Sequence, residues 1–139
     1  MISKVVLSFV CAIIFLLPTQ TEAQTEYKEG TKIVVMFSAE WCTYCQVLKG
    51  TIHRSSQTQI LVKEKYNGNF WIIEEHQQQQ DAKIRRWFRL AEPYIQGFPT
   101  TIVFRLDDKG FWTTHQILYG NQTEQQFLDF LNLGLLDRK

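Results

Sequence analysis

The residues with the clearest chemical potential are two cysteines, Cys42 and Cys45, which stand two residues apart. They follow a run of apolar β-formers at 33–37, and Cys45, Leu48 and Ile52 then recur at helical spacing. The pattern predicts a buried strand that leads into a helix, with Cys42 at the first turn of that helix and Cys45 inside it.

This position favours a negative charge on the first sulfur. Backbone N–H groups at a helix N-terminus lack helical partners, and the helix dipole is positive there. A thiol so placed has a pKa of about 3.5 to 7 instead of about 8.5, so it is a nucleophile near neutral pH. We therefore interpret Cys42 as the attacking thiol and Cys45 as the thiol that resolves a mixed disulfide. The alternative is two buried small residues or an inert disulfide, but a bridge across so short a loop stabilises a fold little.

The N-terminal residues have the features of a secretory signal peptide. Lys4 supplies a positive charge, residues 5–17 are almost wholly apolar, and residues 18–23 are a polar stretch that ends on Ala23. The apolar run is shorter than the roughly 20 residues that cross a bilayer, which disfavours a retained anchor. We expect a signal peptide at 1–23 and one domain at 24–139, exported to the periplasm in a bacterium and secreted or kept in the secretory pathway otherwise. Cleavage would remove Cys11, the third cysteine.

The composition of the chain excludes several classes of protein. Of 139 residues, 45% are hydrophobic and 21% are charged, which suits one compact core. The formal net charge of +1 offers no strong field for nucleic acid or for an anionic membrane. We expect a monomer that binds no nucleic acid and has no stable membrane insertion after cleavage.

Periodicity and turn signals predict four strands and four helices in an α/β arrangement. A second helix at 58–66 places Ile60, Leu61 and Tyr66 on one side, and Thr123 with Gln126 forms a capping box for the last helix. The simplest packing is a central four-stranded mixed sheet flanked by helices on both faces. The predicted order is strand 33–37, helices 42–52 and 58–66, strand 70–73, helix 81–91, strands 100–106 and 111–118, and helix 123–134.

Two separated motifs resemble those of the thioredoxin superfamily. They are Ala-Glu-Trp-Cys-Thr-Tyr-Cys at 39–45 and Gly-Phe-Pro-Thr at 97–100, and the resemblance extends over about 33–133. It implies the thioredoxin fold, with Pro99 in the cis form facing the cysteines. It also implies that Phe98 offers its backbone to an extended substrate, so that Trp41, Phe98 and Pro99 shape a docking groove.

A finer resemblance favours a direction for the reaction. The segments at 37–42 and 97–104, with the extra helix before 70–73, are similar to the thioredoxin-like group that includes the C-terminal domain of the periplasmic disulfide-reducing membrane protein. This implies an exported thiol–disulfide oxidoreductase that reduces protein disulfides without a bound cofactor. It also implies a reductase or a membrane electron donor as partner. An oxidase or isomerase of the same fold is the alternative.

The sequence departs from the family at the position that manages the proton of the second thiol. Many thioredoxins carry a buried Asp six residues before the first cysteine, where this chain has Met36. The Lys that accompanies that Asp also has no counterpart in the apolar run at 70–73. Glu40 is the candidate replacement, and a surface Glu beside Trp41 is the alternative interpretation.

Two rival functions use the same residues differently. Cys42 and Cys45 could bind copper or zinc with a histidine, but His53, His76 and His115 lie on different predicted elements, so no metal site is expected. A non-catalytic binding module would instead use an exposed aromatic surface. Its candidate residues are Trp41, Tyr44, Phe98 and Trp71.

Overall fold

A computed structural model describes residues 27–137, and the predicted signal peptide and Cys11 lie outside this range. The predicted order of strands and helices is confirmed, and two short 3₁₀ helices are added at Glu75–Gln79 and Glu92–Tyr94. Within residues 27–137, none of the helices has the length and apolar character needed to span a bilayer. The elements are β1 (Lys32–Ser38), α1 (Thr43–Arg54), α2 (Ser56–Lys65), β2 (Phe70–Glu74), α3 (Ala82–Ala91), β3 (Thr100–Leu106), β4 (Trp112–Tyr119) and α4 (Glu124–Gly134).

The four strands form one mixed sheet in the order β2-β1-β3-β4. β1 is parallel to β2 and antiparallel to β3, and β3 and β4 form the predicted hairpin. β1 is therefore central, and residues 33–37 are fully buried because both faces of the sheet are covered. This is the predicted α/β architecture, with a four-stranded mixed sheet between helices.

Side chains of β1 alternate between two cores. Val34 and Met36 face α1, α2 and α4, in the core that contains both cysteines. Val35 and Phe37 face the opposite core, where Phe37 packs edge-to-face on Phe88 of α3 at a ring-centroid distance of 5.0 Å. The cysteine face of the sheet is thus the face of the even-numbered β1 residues.

The buried side of α2 matches the prediction in part, because Tyr66 is buried and Leu61 packs against the cysteine core as predicted, but Ile60 is exposed. The buried residues of this helix include Thr58, Val62 and Tyr66. The Tyr66 hydroxyl donates a 2.6 Å hydrogen bond to the Leu131 carbonyl, which joins the end of α2 to α4.

The start of α4 follows the prediction. The Thr123 hydroxyl accepts the Gln126 N–H at 3.2 Å, and the Gln126 side chain accepts the Thr123 N–H at 2.9 Å. This reciprocal capping box satisfies two N–H groups that have no helical partner. The helix that closes the cysteine core therefore has a fixed beginning.

Candidate active site

Cys42 and Cys45 are joined by a disulfide at the junction between β1 and α1. Their Cα atoms are 5.3 Å apart. Cys42 is the N-cap residue of α1, and its Sγ accepts the Cys45 backbone N–H at 3.1 Å. Cys42 keeps 4% of its surface exposed, whereas Cys45 is fully buried. Of the two cysteines, Cys42 is thus the one that retains contact with solvent.

The backbone around Cys42 favours a thiolate once the disulfide is reduced. The Cys45 N–H that reaches Sγ belongs to the first turn of α1, where the helix dipole is positive. The first turn of α1 also contains no acidic residue to oppose that field. A hydrogen bond to an ionised acceptor is roughly twice as strong as one between neutral groups.

Trp41 and Phe98 form a pair of contacting aromatic rings beside the disulfide. The Trp41 side chain is 73% exposed, and its ring meets Phe98 edge-to-face at a centroid distance of 6.0 Å. The Phe98–Pro99 peptide bond is cis, as the resemblance implies. The Pro99 carbonyl accepts the Gly120 N–H at 2.9 Å, which ties this loop to the end of β4.

The backbone of Phe98 is open to a partner. Among residues 27–137, neither its N–H nor its carbonyl makes a backbone hydrogen bond. A groove of about 330 Å³ also begins at Phe98 and extends along α3. Its lining residues are Glu75, Gln78, Phe88, Arg89, Glu92, Ile95 and Phe98.

The other aromatic candidates divide between surface and core. Tyr44 is exposed in the first turn of α1, next to the disulfide. Trp71 is half-buried in the opposite core, where it packs on Trp87 at a centroid distance of 5.6 Å. The exposed aromatic surface near the cysteines therefore comprises Trp41, Tyr44 and the edge of Phe98, without Trp71.

Glu40 and Met36 lie in contrasting environments. Met36 is fully buried in the cysteine core, at the position where many thioredoxins carry the Asp. The Glu40 side chain is 80% exposed, and its Oε2 lies 3.8 Å from Nδ1 of His76. A role for Glu40 in proton handling stays a prediction.

An ion pair lies on the cysteine face of the sheet and is not predicted from the sequence. Lys49 of α1 forms an ion pair with Glu74 at the end of β2. Three oxygens, Ser38 Oγ, Glu74 Oε2 and Thr101 Oγ1, are buried without a hydrogen-bond partner in the described part of the chain. The available signal was the spacing of Lys49, which stands one helical turn after Cys45.

Two of the histidines contact other segments of the chain, and His53 lies in the last turn of α1. His115 Nε2 lies 2.7 Å from the Leu136 carbonyl oxygen, and His76 faces Glu40. Over residues 27–137, His, Cys, Asp and Glu side chains form no group of three or more that could hold a metal ion.

The chain matches the thioredoxin-like domain family over residues 20–134. The protein belongs to this family. Among solved structures, it is similar to a thioredoxin from Thermus thermophilus, with 19% identity, a TM-score of 0.56, and coverage of 73% of this chain and 71% of that one. It is also similar to the oxidised C-terminal domain of DsbD from Neisseria meningitidis, with 17% identity, a TM-score of 0.51, and coverage of 75% and 80%.

A third similar structure is a thioredoxin-fold protein from Helicobacter pylori, with 16% identity and a TM-score of 0.55, covering 76% of this chain and 70% of that chain. No curated protein matches the chain significantly. At these identities the shared property is the fold. The thioredoxin-like fold together with a Cys-X-X-Cys disulfide supports thiol–disulfide exchange as the chemistry of the site.

Proposed function

We propose that this protein reduces protein disulfides in an exported compartment, through a Cys42/Cys45 dithiol–disulfide couple and without a bound cofactor. The observation that carries the proposal is the placement of the two sulfurs. Cys42 caps α1 through its Sγ and retains contact with solvent, and Cys45 is fully buried one turn behind it. This arrangement separates an attacking thiol from a resolving thiol.

The reaction proceeds in two exchanges. The Cys42 thiolate attacks one sulfur of a substrate disulfide, a mixed disulfide forms, and the other substrate sulfur leaves as a thiolate that takes a proton. The Cys45 thiol then loses its proton and attacks Cys42 Sγ. This second exchange closes the Cys42–Cys45 disulfide and releases the second substrate thiolate. Two electrons pass from the protein to the substrate.

The substrate docks on the loop that contains Phe98 and Pro99. An extended peptide hydrogen-bonds to the open N–H and carbonyl of Phe98, in the manner of an added strand. Trp41 and Phe98 supply apolar contact beside the disulfide, and aromatic residues often dominate such surfaces. Protein disulfides in locally extended segments are therefore the proposed substrates of the monomer.

The proposed direction of the reaction and the proposed location of the protein are supported by the sequence. The motifs at 37–42 and 97–104 resemble those of the exported reducing group, and residues 1–23 have the features of a signal peptide. An exported reductant must receive electrons from outside its compartment. The proposal therefore includes a reductase or a membrane electron donor as partner.

Two assays test this proposal. The purified protein with dithiothreitol should accelerate the reduction of insulin disulfides, and Cys42→Ser should abolish the acceleration. Equilibration with glutathione then fixes the direction, because a potential near −270 mV is typical of thioredoxin and one near −120 mV is typical of a strong oxidant. Activity that survives Cys42→Ser would refute the redox function, and a potential near −120 mV would replace the reductase with the oxidase alternative.

A further inference from the structure

A charged and hydroxyl-bearing cluster lies beneath the active-site helix. We call Ser38, Lys49 and Glu74 the buried polar cluster. The Lys49 ammonium pairs with Glu74 Oε1, and the two side chains are only 22% and 16% exposed. Glu74 Oε2 and Ser38 Oγ are both buried and have no partner within residues 27–137. Buried oxygens are almost always hydrogen-bonded, so these two indicate a function or a bound water.

The cluster shares one face of the sheet with Cys45. Ser38 and Glu74 are paired in register on the parallel strands β1 and β2, so their side chains project to the same side. Ser38 also stands two residues after Met36 on β1, so it lies on the same face of the sheet as Met36, which faces the cysteine core. Lys49 follows Cys45 by four residues on α1, which places both on one helix face.

Cys45 needs an acceptor in this region of the interior. A thiol must become a thiolate before it attacks a disulfide, and Cys45 has no exposed surface through which bulk water could take its proton. The neighbouring Met36 has no ionisable group, and Glu40 is directed to solvent. Glu74 supplies a carboxylate oxygen, Oε2, that is buried on the same face and has no hydrogen-bond partner within the part of the chain that the structure describes.

We infer that Glu74 accepts the proton of Cys45 during the second exchange, with Lys49 holding the carboxylate in place. This inference rests on the proposed function. The S–H bond of Cys45 breaks, its proton passes to the Glu74 carboxylate, and the Cys45 thiolate forms the bond to Cys42 Sγ. The substrate thiolate leaves as the old bond to Cys42 breaks. Glu74 then returns its proton to solvent, and no further oxidant or reductant takes part.

The charged groups around Glu74 are few. Lys49 faces it from α1, and the aligned residue of β1 is the uncharged Ser38. The 3₁₀ helix that follows contributes Glu75, which lines the groove beside Phe88, and His76, which is paired with Glu40. Glu64 of α2 is exposed and does not line the groove at Phe98, so Glu64→Gln is a matched control for Glu74→Gln.

Stopped-flow reaction of the reduced protein with DTNB separates the two exchanges. Attack by Cys42 releases the first thionitrobenzoate, and resolution by Cys45 releases the second. Glu74→Gln should leave the first phase unchanged and slow the second at least tenfold at pH 7, since general-base catalysis typically contributes about 10²-fold or more. The rate of the second phase should recover at high pH, where hydroxide replaces the carboxylate. Glu64→Gln should match the unsubstituted protein in both phases.

Each other outcome has a definite meaning. Equal second phases in Glu74→Gln and Glu64→Gln overturn the inference and leave the proposed function intact. A slow second phase without recovery at high pH indicates damaged structure rather than a missing base, and it also overturns the inference. A first phase in the unsubstituted protein no faster than that of free cysteine refutes the proposed function itself.

If Glu74→Gln fails to fold, a measurement on the unsubstituted protein tests the role of Glu74 instead. The carboxyl carbon of ¹³C-labelled Glu74 is titrated by NMR in the disulfide and the dithiol forms. A titration midpoint that differs between the two forms supports coupling between Glu74 and Cys45. Identical midpoints overturn it.

Discussion

The hydroxyl of Tyr66 links α2 to the last turn of α4. It donates a 2.6 Å hydrogen bond to the Leu131 carbonyl, and Tyr66 is almost completely buried. Carbonyls in the last turn of a helix lack a full set of helical donors, and the Leu135 N–H bonds the Asn132 carbonyl instead of that of Leu131. Tyr66→Phe would therefore leave a buried acceptor without a donor. We expect the free energy of unfolding to fall by about 1–3 kcal/mol.

The same contact predicts a dependence on pH. Burial raises the pKa of Tyr66 above its ordinary value of 10.0. The folded protein therefore keeps this proton at a pH where the unfolded chain releases it. The stabilising contribution of Tyr66 is complete below about pH 10 and is lost as the pH rises further. The stability difference between the unsubstituted protein and Tyr66→Phe should shrink above that pH.

Urea unfolding of the oxidised protein at pH 8 and pH 11 measures both effects. Tyr119→Phe is the matched control, because Tyr119 is 43% exposed and its hydroxyl makes no hydrogen bond within residues 27–137. The control should differ from the unsubstituted protein by no more than about 0.5 kcal/mol. The reasoning is refuted if Tyr66→Phe is as stable as the control at pH 8, or if the difference is unchanged at pH 11.

Three further predictions follow from the site and the helix ends. The double variant Trp41→Ala/Phe98→Ala should raise KM for insulin about tenfold, which corresponds to about 1.4 kcal/mol of binding free energy. The rate at which Cys42 reacts with DTNB should not change. An unchanged KM would show that these two side chains do not bind the substrate. The hydrogen bond from Lys32 holds the pKa of Asp137 below its ordinary value of 3.8. NMR titration should therefore show a higher pKa for Asp137 in Lys32→Met. An unchanged pKa would contradict the contact between the two side chains. Thr123→Ala should destabilise the protein by about 1 kcal/mol in urea unfolding, and no loss would disprove the capping box.

The elements with strong local signals could be predicted from the sequence. The apolar run at 33–37 identified the central strand because both of its faces are buried, so every residue had to be apolar. The cysteine spacing after that strand located the helix N-terminus, and Cys42 is its N-cap. Hydroxyl and carboxamide side chains at Thr123 and Gln126 fixed the start of α4 for the same local reason.

The features that depend on distant contacts could not be predicted. The hydrogen bond between the Tyr66 hydroxyl and the Leu131 carbonyl joins residues 65 positions apart in the chain. The ion pair of Glu74 with Lys49 joins residues 25 positions apart, and nothing local to either residue specifies the other. A charged residue at the end of an apolar strand resembles an ordinary strand terminus. Only the packing of α1 on the sheet reveals that Glu74 lies in the interior.

The alkylation rate of the reduced protein tests the central claim most directly. Iodoacetamide at pH 7, with the modified cysteine mapped by mass spectrometry, compares each thiol with free cysteine. A thiol with a pKa near 7 is about half ionised at that pH, and after its lower intrinsic nucleophilicity is included it should react about threefold faster than free cysteine. We expect Cys42 to react at about this rate and the fully buried Cys45 to react more slowly than free cysteine. A Cys42 thiol no more reactive than free cysteine would contradict the account.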